Sequence, residues 1–245
     1  MTLRRLAPLV PIALLGAIGI AFVVARGEHE EATPPPAALP PPPVLERVED
    51  LAARVPAGRS VELRARPDGR VLATVPARTE FGSSQTLAVA FRKGDWIAVR
   101  SPALGNRRVG WVHTRPLRLV RRPVRLDVDL SRRVLLVRDE SRVRRTISVA
   151  IGAPDTPTPV GRFYVTDKLP GADFGSYYGC CILALSGRQP NLPEGWSGGD
   201  RLAIHGSPTP TWGEAVSNGC LHAPEADLHY LMKTVPLGTT VRVHA

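Results

Sequence analysis

Between residues 124 and 130 apolar and polar side chains alternate strictly: Val124, Leu126, Val128 and Leu130 are separated by Arg125, Asp127 and Asp129. A period of two puts every apolar group on one face, the mark of a half-buried strand and incompatible with a helix. Further strands are expected at Val134 to Val137, Val143 to Ile151, Arg162 to Thr166, Ile182 to Leu185, Arg201 to His205 and Thr240 to His244. Turns at Ser131-Arg132 and Asp139-Glu140-Ser141 make the first three strands a meander. Only Pro224 to Thr234 reads as a helix, with proline at its first turn and Leu228, Leu231 and Met232 on one face. The C-terminal half is mainly β, with one helix after Cys220.

Upstream, from about Pro56 to Val120, short strands alternate with turns. Val61 to Leu63 and Val71 to Val75 flank Pro67-Asp-Gly69, and Leu87 to Phe91, Asp95 to Arg100 and Val109 to His113 follow. Such a run of short strands suggests a small barrel. Residues 44–55 place Val44, Val48, Leu51 and Val55 at a helical period, so one short helix is expected there. The stretch 28–43, EHEEATPPPAALPPPP, is too rich in proline to pack. As polyproline II it reaches up to about 50 Å.

Ahead of it lies an uncharged run, Leu6 to Ala25, preceded by Arg4 and Arg5 and followed by Glu28, Glu30 and Glu31. At about 1.5 Å per helical residue that run spans a bilayer of roughly 30 Å. The charge asymmetry places the remainder of the chain outside. A retained anchor is favoured over a cleaved signal peptide, whose apolar region is shorter. The net charge of +10 comes almost entirely from arginine, since Lys93, Lys168 and Lys233 are the three lysines. A basic protein attracts polyanions. For an exported chain those are acidic wall polymers and lipid head groups, and no nucleic-acid partner is expected.

Three cysteines in an exported chain leave one over. Adjacent Cys180 and Cys181 are not expected to bridge each other, because their Cβ vectors diverge in ordinary backbone. They flank a core strand and are expected to be dispensable for activity. A zinc site drawn from Cys180, Cys181, His205, Cys220 and His222 lacks the usual chelating spacing, so no metal is expected.

Cys220 sits in the polar turn Ser217-Asn-Gly-Cys220, just before the helix, with histidines on both sides in sequence. A thiol is a nucleophile only as thiolate, and an imidazolium or helix N-terminus lowers its pKa from about 8.5. Gly219 lets the backbone approach a substrate carbonyl. Consecutive N–H groups at such a turn can hold an oxyanion.

Thr156-Pro-Thr-Pro159 with Val160-Gly-Arg-Phe163, then Ala203-Ile-His205-Gly206, then Ser217-Asn-Gly-Cys-Leu221 resemble the YkuD-type catalytic domain of L,D-transpeptidases. The closing Val235 to Val243 is similar to its final strand. The resemblance covers about residues 123–245 and implies a β-sandwich-type catalytic domain. It implies Cys220 as nucleophile, His205 as general base and the Gly206 carbonyl as the group orienting His205. The N–H groups of Gly219 and Cys220, with Asn218 as a further donor, would hold the oxyanion, and Ser217 and His222 would contact substrate. A thiolate–imidazolium pair of Cys220 and His205 near neutrality follows from that assignment. The implied reaction joins peptidoglycan stem peptides by 3→3 cross-links through a Cys220 thioester. Water as acceptor would give an L,D-carboxypeptidase, and an inactive wall-binding protein is the third reading. Carbapenems are the implied covalent inhibitors, and no cofactor is implied. The chain departs from the family pattern at Asn218, where many members carry histidine, and at His222, where arginine or asparagine is usual. The segments RARPDGRVLATV, GDWIAVR and GWVHTRPL resemble a bacterial SH3-like domain. The expected organisation is thus an anchor or signal peptide at 1–27, a proline-rich linker and short helix at 28–55, an SH3-like domain at 56–122 and a catalytic domain at 123–245.

Overall fold

A computed structural model describes residues 45–245. The expected anchor at 6–25 and the whole proline-rich stretch 28–43 lie outside the described residues. Among the described residues no helix is long and apolar enough to cross a membrane. The described residues lie within one compact unit.

Eight strands make up the first sheet: β1 (Glu46–Arg47), β2 (Leu51–Arg54), β3 (Ser60–Arg64), β4 (Val71–Pro76), β5 (Thr86–Lys93), β6 (Trp96–Val99), β7 (Gly110–His113) and β8 (Arg118–Arg121). Their order is β4-β3-β7-β6-β5-β2-β8, with β1 also on β5, and every pairing is antiparallel. Leu63, Leu87, Ile97 and Val99 fill the core beside this sheet.

The helix expected at 44–55 is not formed; β1 and β2 occupy its place. Ala52 and Ala53 are fully buried because β2 is flanked by β5 on one side and β8 on the other. So short a helix is marginal in water. Two neighbouring strands satisfying its backbone outweigh the helical spacing of its apolar groups.

The second sheet holds β9 (Val124–Asp129), β10 (Val134–Asp139), β11 (Arg142–Ser148), β13 (Gly161–Pro170), β14 (Cys181–Arg188), β15 (Arg201–His205), β17 (Leu221–His222) and β18 (Thr240–His244). Its order is β11-β10-β9-β18-β13-β14-β15-β17. A small parallel pair, β12 (Ile151–Gly152) with β16 (Ala215–Ser217), lies beside it. One core cluster joins Leu126, Leu135 and Ile147 from one end of the sheet to Leu183, Ile204 and Leu221 from the other. The region is therefore sandwich-like and mainly β. The helix α1 (Glu225–Thr234) buries Leu228 and Leu231 in that core, with Pro224 as its N-cap residue.

The two sheets are joined by specific contacts. Tyr164 of β13 is fully buried in the core of the first sheet. Asn106 grips the Arg188 backbone twice, donating to its carbonyl at 2.7 Å and accepting from its N–H at 2.8 Å.

Candidate active site

Strand β15 ends at His205, and β17 runs parallel to it, with Ile204 opposite Leu221 and His205 opposite His222. This pairing sets the two imidazoles side by side, 4.6 Å between ring centroids. Both are buried. The residue before β17 is Cys220, which is free and half-buried. A cleft of about 70 Å³ exposes His205, Cys220 and His222 together, with Asn218 on its rim.

His205 Nδ1 lies 2.6 Å from the Gly206 carbonyl oxygen. With the carbonyl as acceptor, Nδ1 carries the proton and Nε2 keeps its lone pair. Gly206 has no room for a side chain there, since a Cβ would lie 2.8 Å from the Gly179 Cα. His222 Nδ1 is buried with no hydrogen-bond partner among the described residues, so nothing comparable orients that ring.

The turn carrying Cys220 is held from several directions. Ser217 Oγ donates to the Cys220 carbonyl at 2.6 Å and accepts the Gly219 N–H at 3.1 Å. Thr156 Oγ1 donates to the Ser217 carbonyl at 2.9 Å, and Thr158 Oγ1 to the Gly219 carbonyl at 3.0 Å. The buried Gln189 amide donates to the carbonyls of Thr156, Pro157 and Asn218 at 3.0–3.2 Å. Gly219 has φ +106°, and a Cβ there would fall 2.1 Å from Gln189 Nε2. Glycine is required by both conformation and space.

Two residues of the turn are already engaged in this geometry. Ser217 is 2% exposed with its hydroxyl committed inside the turn, where it braces the backbone. The Gly219 N–H is taken up by Ser217 Oγ, whereas the Cys220 N–H has no partner among the described hydrogen bonds. Of the two N–H groups, the resting turn thus leaves that of Cys220 unengaged.

The expected thiolate–imidazolium pair is disfavoured by its surroundings. Burial pushes the Cys220 thiol up to about 11. Burial, and then the neighbouring His222, pull His205 down to about 4, against the opposing effect of the Gly206 carbonyl. Burial lowers His222 as well. Desolvation disfavours each charged form and so works against the ion pair, in favour of a thiol beside a neutral imidazole. The Cys220 thiol points at the Arg201 carbonyl, 3.8 Å away.

Cys180 and Cys181 are joined to each other by a disulfide, contrary to expectation. As expected, they flank a core strand: Cys181 opens β14 and is buried in the core cluster, with Cys180 packed against it. The preceding residues, Tyr177 and Tyr178, fold over the histidines: the Tyr178 ring is 4.9 Å from His205, and Tyr177 is 6.1 Å from His222. The Tyr178 carbonyl accepts the Gly206 N–H at 2.9 Å. Among the described residues, the sulfur and imidazole atoms gathered within 4.8 Å belong to Cys180, Cys181 and His229, not to the five-residue set considered from sequence.

Sequence reasoning passed over Tyr177, Tyr178, Gln189 and Trp196, all of which line the cleft. The tyrosine pair had a signal, since it is bracketed by Gly175 and Gly179, both at positive φ. Gln189 had none, being one polar residue in a loop.

The family model of the YkuD-type L,D-transpeptidase catalytic domain matches residues 123–243. By this match residues 123–243 are similar to an L,D-transpeptidase catalytic domain. The Bacillus subtilis protein YkuD, assigned as an L,D-transpeptidase, is 31% identical over 125 residues, covering 50% of this chain and 66% of the relative. Its Bacillus licheniformis counterpart is 32% identical over 124 residues, covering 49% and 66%. The chain therefore spans slightly less than two thirds of either relative. The solved catalytic domain of the Enterococcus faecium L,D-transpeptidase acylated by ertapenem is 25% identical, with a TM-score of 0.39, covering 50% of this chain and 97% of that one.

Proposed function

We propose that this chain is a cysteine-dependent L,D-transpeptidase of the bacterial envelope, forming 3→3 cross-links between peptidoglycan stem peptides. The observation that carries this reading is the 2.6 Å contact of His205 Nδ1 with the Gly206 carbonyl, which leaves the Nε2 lone pair free in the cleft that holds the free thiol of Cys220.

The chemistry starts from the neutral pair. His205 Nε2 takes the Cys220 proton as sulfur attacks the carbonyl at the L-centre of diaminopimelate in a tetrapeptide stem. The Cys220 N–H holds the oxyanion. Release of the Gly219 N–H from Ser217 Oγ would add a second donor. Collapse expels D-alanine, whose amine takes the proton back from His205. An amine from a neighbouring stem then attacks the thioester, and the 3→3 bond forms as the thiol leaves. Starting neutral avoids stabilising an ion pair in a buried cleft, and places the proton transfer in the attacking step. Asn218, on the rim, has a secondary part, since an amide cannot relay the thiol proton.

The finer organisation belongs to the same proposal. Leu6 to Ala25 anchors the chain in the cytoplasmic membrane, and residues 56–122 act as an SH3-like wall-associated domain. Incubating the purified protein with disaccharide-tetrapeptides and reading products by mass tests the reaction. The expected product is a cross-linked dimer that has lost one D-alanine. Tripeptide alone would make the chain an L,D-carboxypeptidase. No product and no mass shift at Cys220 would leave only a wall-binding protein.

A further inference from the structure

The proposed reaction gives the disulfide between Cys180 and Cys181 no part. As a staple it does little for the fold. A bridge stabilises mainly by closing loops in the unfolded chain, and neighbours in sequence close almost no loop. What this bridge fixes is local: the backbone leading from the tyrosine turn, Ser176–Tyr178, into β14.

That backbone reaches the candidate base by a short route. On one side of the bridge, the Tyr178 carbonyl accepts the Gly206 N–H at 2.9 Å, and the Gly206 carbonyl in turn accepts from His205 Nδ1 at 2.6 Å. On the other side, Ile182 stands opposite His205 in the ladder of β14 and β15. The Cys180 carbonyl accepts the Gly171 N–H at 2.8 Å, which closes the foot of the tyrosine loop. Little slack remains there, since a Cβ on Gly179 would lie 3.0 Å from the Gly206 Cα.

The bridge is also placed for thiol exchange. Cys180 is half-buried and open to attack, whereas Cys181 is 5% exposed within the core. Exposed His229, on α1, puts its Nδ1 3.8 Å from the Cys181 sulfur. An imidazole there can hand a proton to that sulfur as it leaves.

We propose that Cys180–Cys181 is a redox-active disulfide that holds His205 in place when oxidised and releases it when reduced by a dithiol. One thiolate of the dithiol attacks the Cys180 sulfur, breaking the Cys180–Cys181 bond and forming a mixed disulfide. The Cys181 sulfur leaves as thiolate and takes a proton from the His229 side. The second thiol of the reductant then displaces Cys180, which is protonated in its turn. The protein gains two electrons and two protons, and the dithiol departs as its own disulfide. With the bridge open, Tyr178 no longer clamps Gly206, and acylation slows. The two cysteines, expected from sequence to be dispensable, then take part in controlling the site. Only the acylation readout rests on the reaction proposed above.

The test titrates the full chain with dithiothreitol and its oxidised form, counting thiols by maleimide labelling of the denatured protein and mass. One free thiol is expected in the oxidised protein and three in the reduced. After anaerobic removal of the reductant, exchange of the Gly206 amide hydrogen, followed by NMR, should be at least about tenfold faster in the reduced form. Carbapenem acylation of Cys220 should be about tenfold slower, and both should revert on reoxidation. Cys180→Ser with Cys181→Ser should match the reduced protein and ignore the dithiol. Circular dichroism and melting temperature check its folding, and the reduced parent carries the comparison if the variant does not fold. A bridge that resists dithiothreitol, or three free thiols under every condition, overturns the proposal. So does unchanged Gly206 exchange or unchanged acylation in the reduced protein, the outcome for a purely structural bridge. Failure of the carbapenem to label either form counts against the proposed reaction, while thiol count and amide exchange still decide the switch.

Discussion

The two sheets contain equal numbers of strands but are assembled differently. In the first, every pairing is antiparallel. In the second, β9 pairs in parallel with β18 from the far end of the chain, and β15 with β17. Parallel neighbours need a crossover, so they bring together segments that are not joined by a tight turn. The candidate chemistry sits at such a joint: β15 against β17 aligns His205 with His222 and leaves Cys220 at the strand's start. Nearby, the parallel pair β12–β16 ties Gly152 to Ser217. The first sheet builds a core, and the second spends its long-range pairings on a site.

The most drastic test of that division is Cys220→Ala. Covalent labelling by a carbapenem, followed by mass, should vanish while the melting temperature stays close to that of the parent, because the thiol lies outside the core cluster. Stoichiometric labelling in this variant would remove Cys220 as nucleophile.

The protonation state gives the next effect in size. With the thiol pushed up to about 11, the rate of Cys220 alkylation by iodoacetamide should climb about tenfold per pH unit from pH 6 to pH 9. A plateau below pH 7 would restore the ion pair.

Leu63→Ala probes the first sheet, where Leu63 is fully buried. It should cost about 2–5 kcal/mol of stability in urea. Carbapenem acylation per folded molecule should be unchanged. A parallel fall in acylation would show that the two sheets are energetically inseparable.

Acid should reach the second sheet through His205. Its folded pKa, about 4, lies below the ordinary 6.5, so the unfolded chain binds the proton more readily. The corresponding stability is complete above pH 6.5 and is lost as pH falls towards 4, about 3 kcal/mol in all. Denaturant midpoints for the parent and His205→Gln should converge over that interval. Parallel curves would exclude His205 as the group responsible.

Gln189→Leu should have the smallest effect. Three carbonyls around the nucleophile turn lose their shared donor, costing about 1–3 kcal/mol. Acylation should slow by roughly tenfold as the turn loosens. Gln189→Glu cannot restore the donor and should behave like the leucine variant; rescue by glutamate would show that side-chain volume, not hydrogen bonding, holds the turn.

What could be read in the chain differs between the sheets in the same way. The strand from Val124 to Asp129 and the helix after Pro224 were legible because their patterns repeat over neighbouring residues. The segment Leu51–Arg54 was misread because its spacing suits a helix, and what makes it a strand is β5 and β8, more than thirty residues away in sequence. Gln189 carries no local pattern at all, and its three acceptors become neighbours only through the fold.

The sequence by itself determined that this chain is mainly β and that His205 ends a strand. It also determined that Cys220 occupies a glycine turn before the helix that follows Pro224, since periodicity and turn chemistry act between near neighbours. The tertiary structure decided that Cys180 pairs with Cys181, that Tyr177 and Tyr178 cover the histidines, and that Ser217 closes the Gly219 N–H. Its packing also pushes the Cys220 thiol up and pulls the His205 imidazole down, both against the charged forms. Desolvation depends on everything packed around a group, and strands that meet from distant parts of the chain supply that packing.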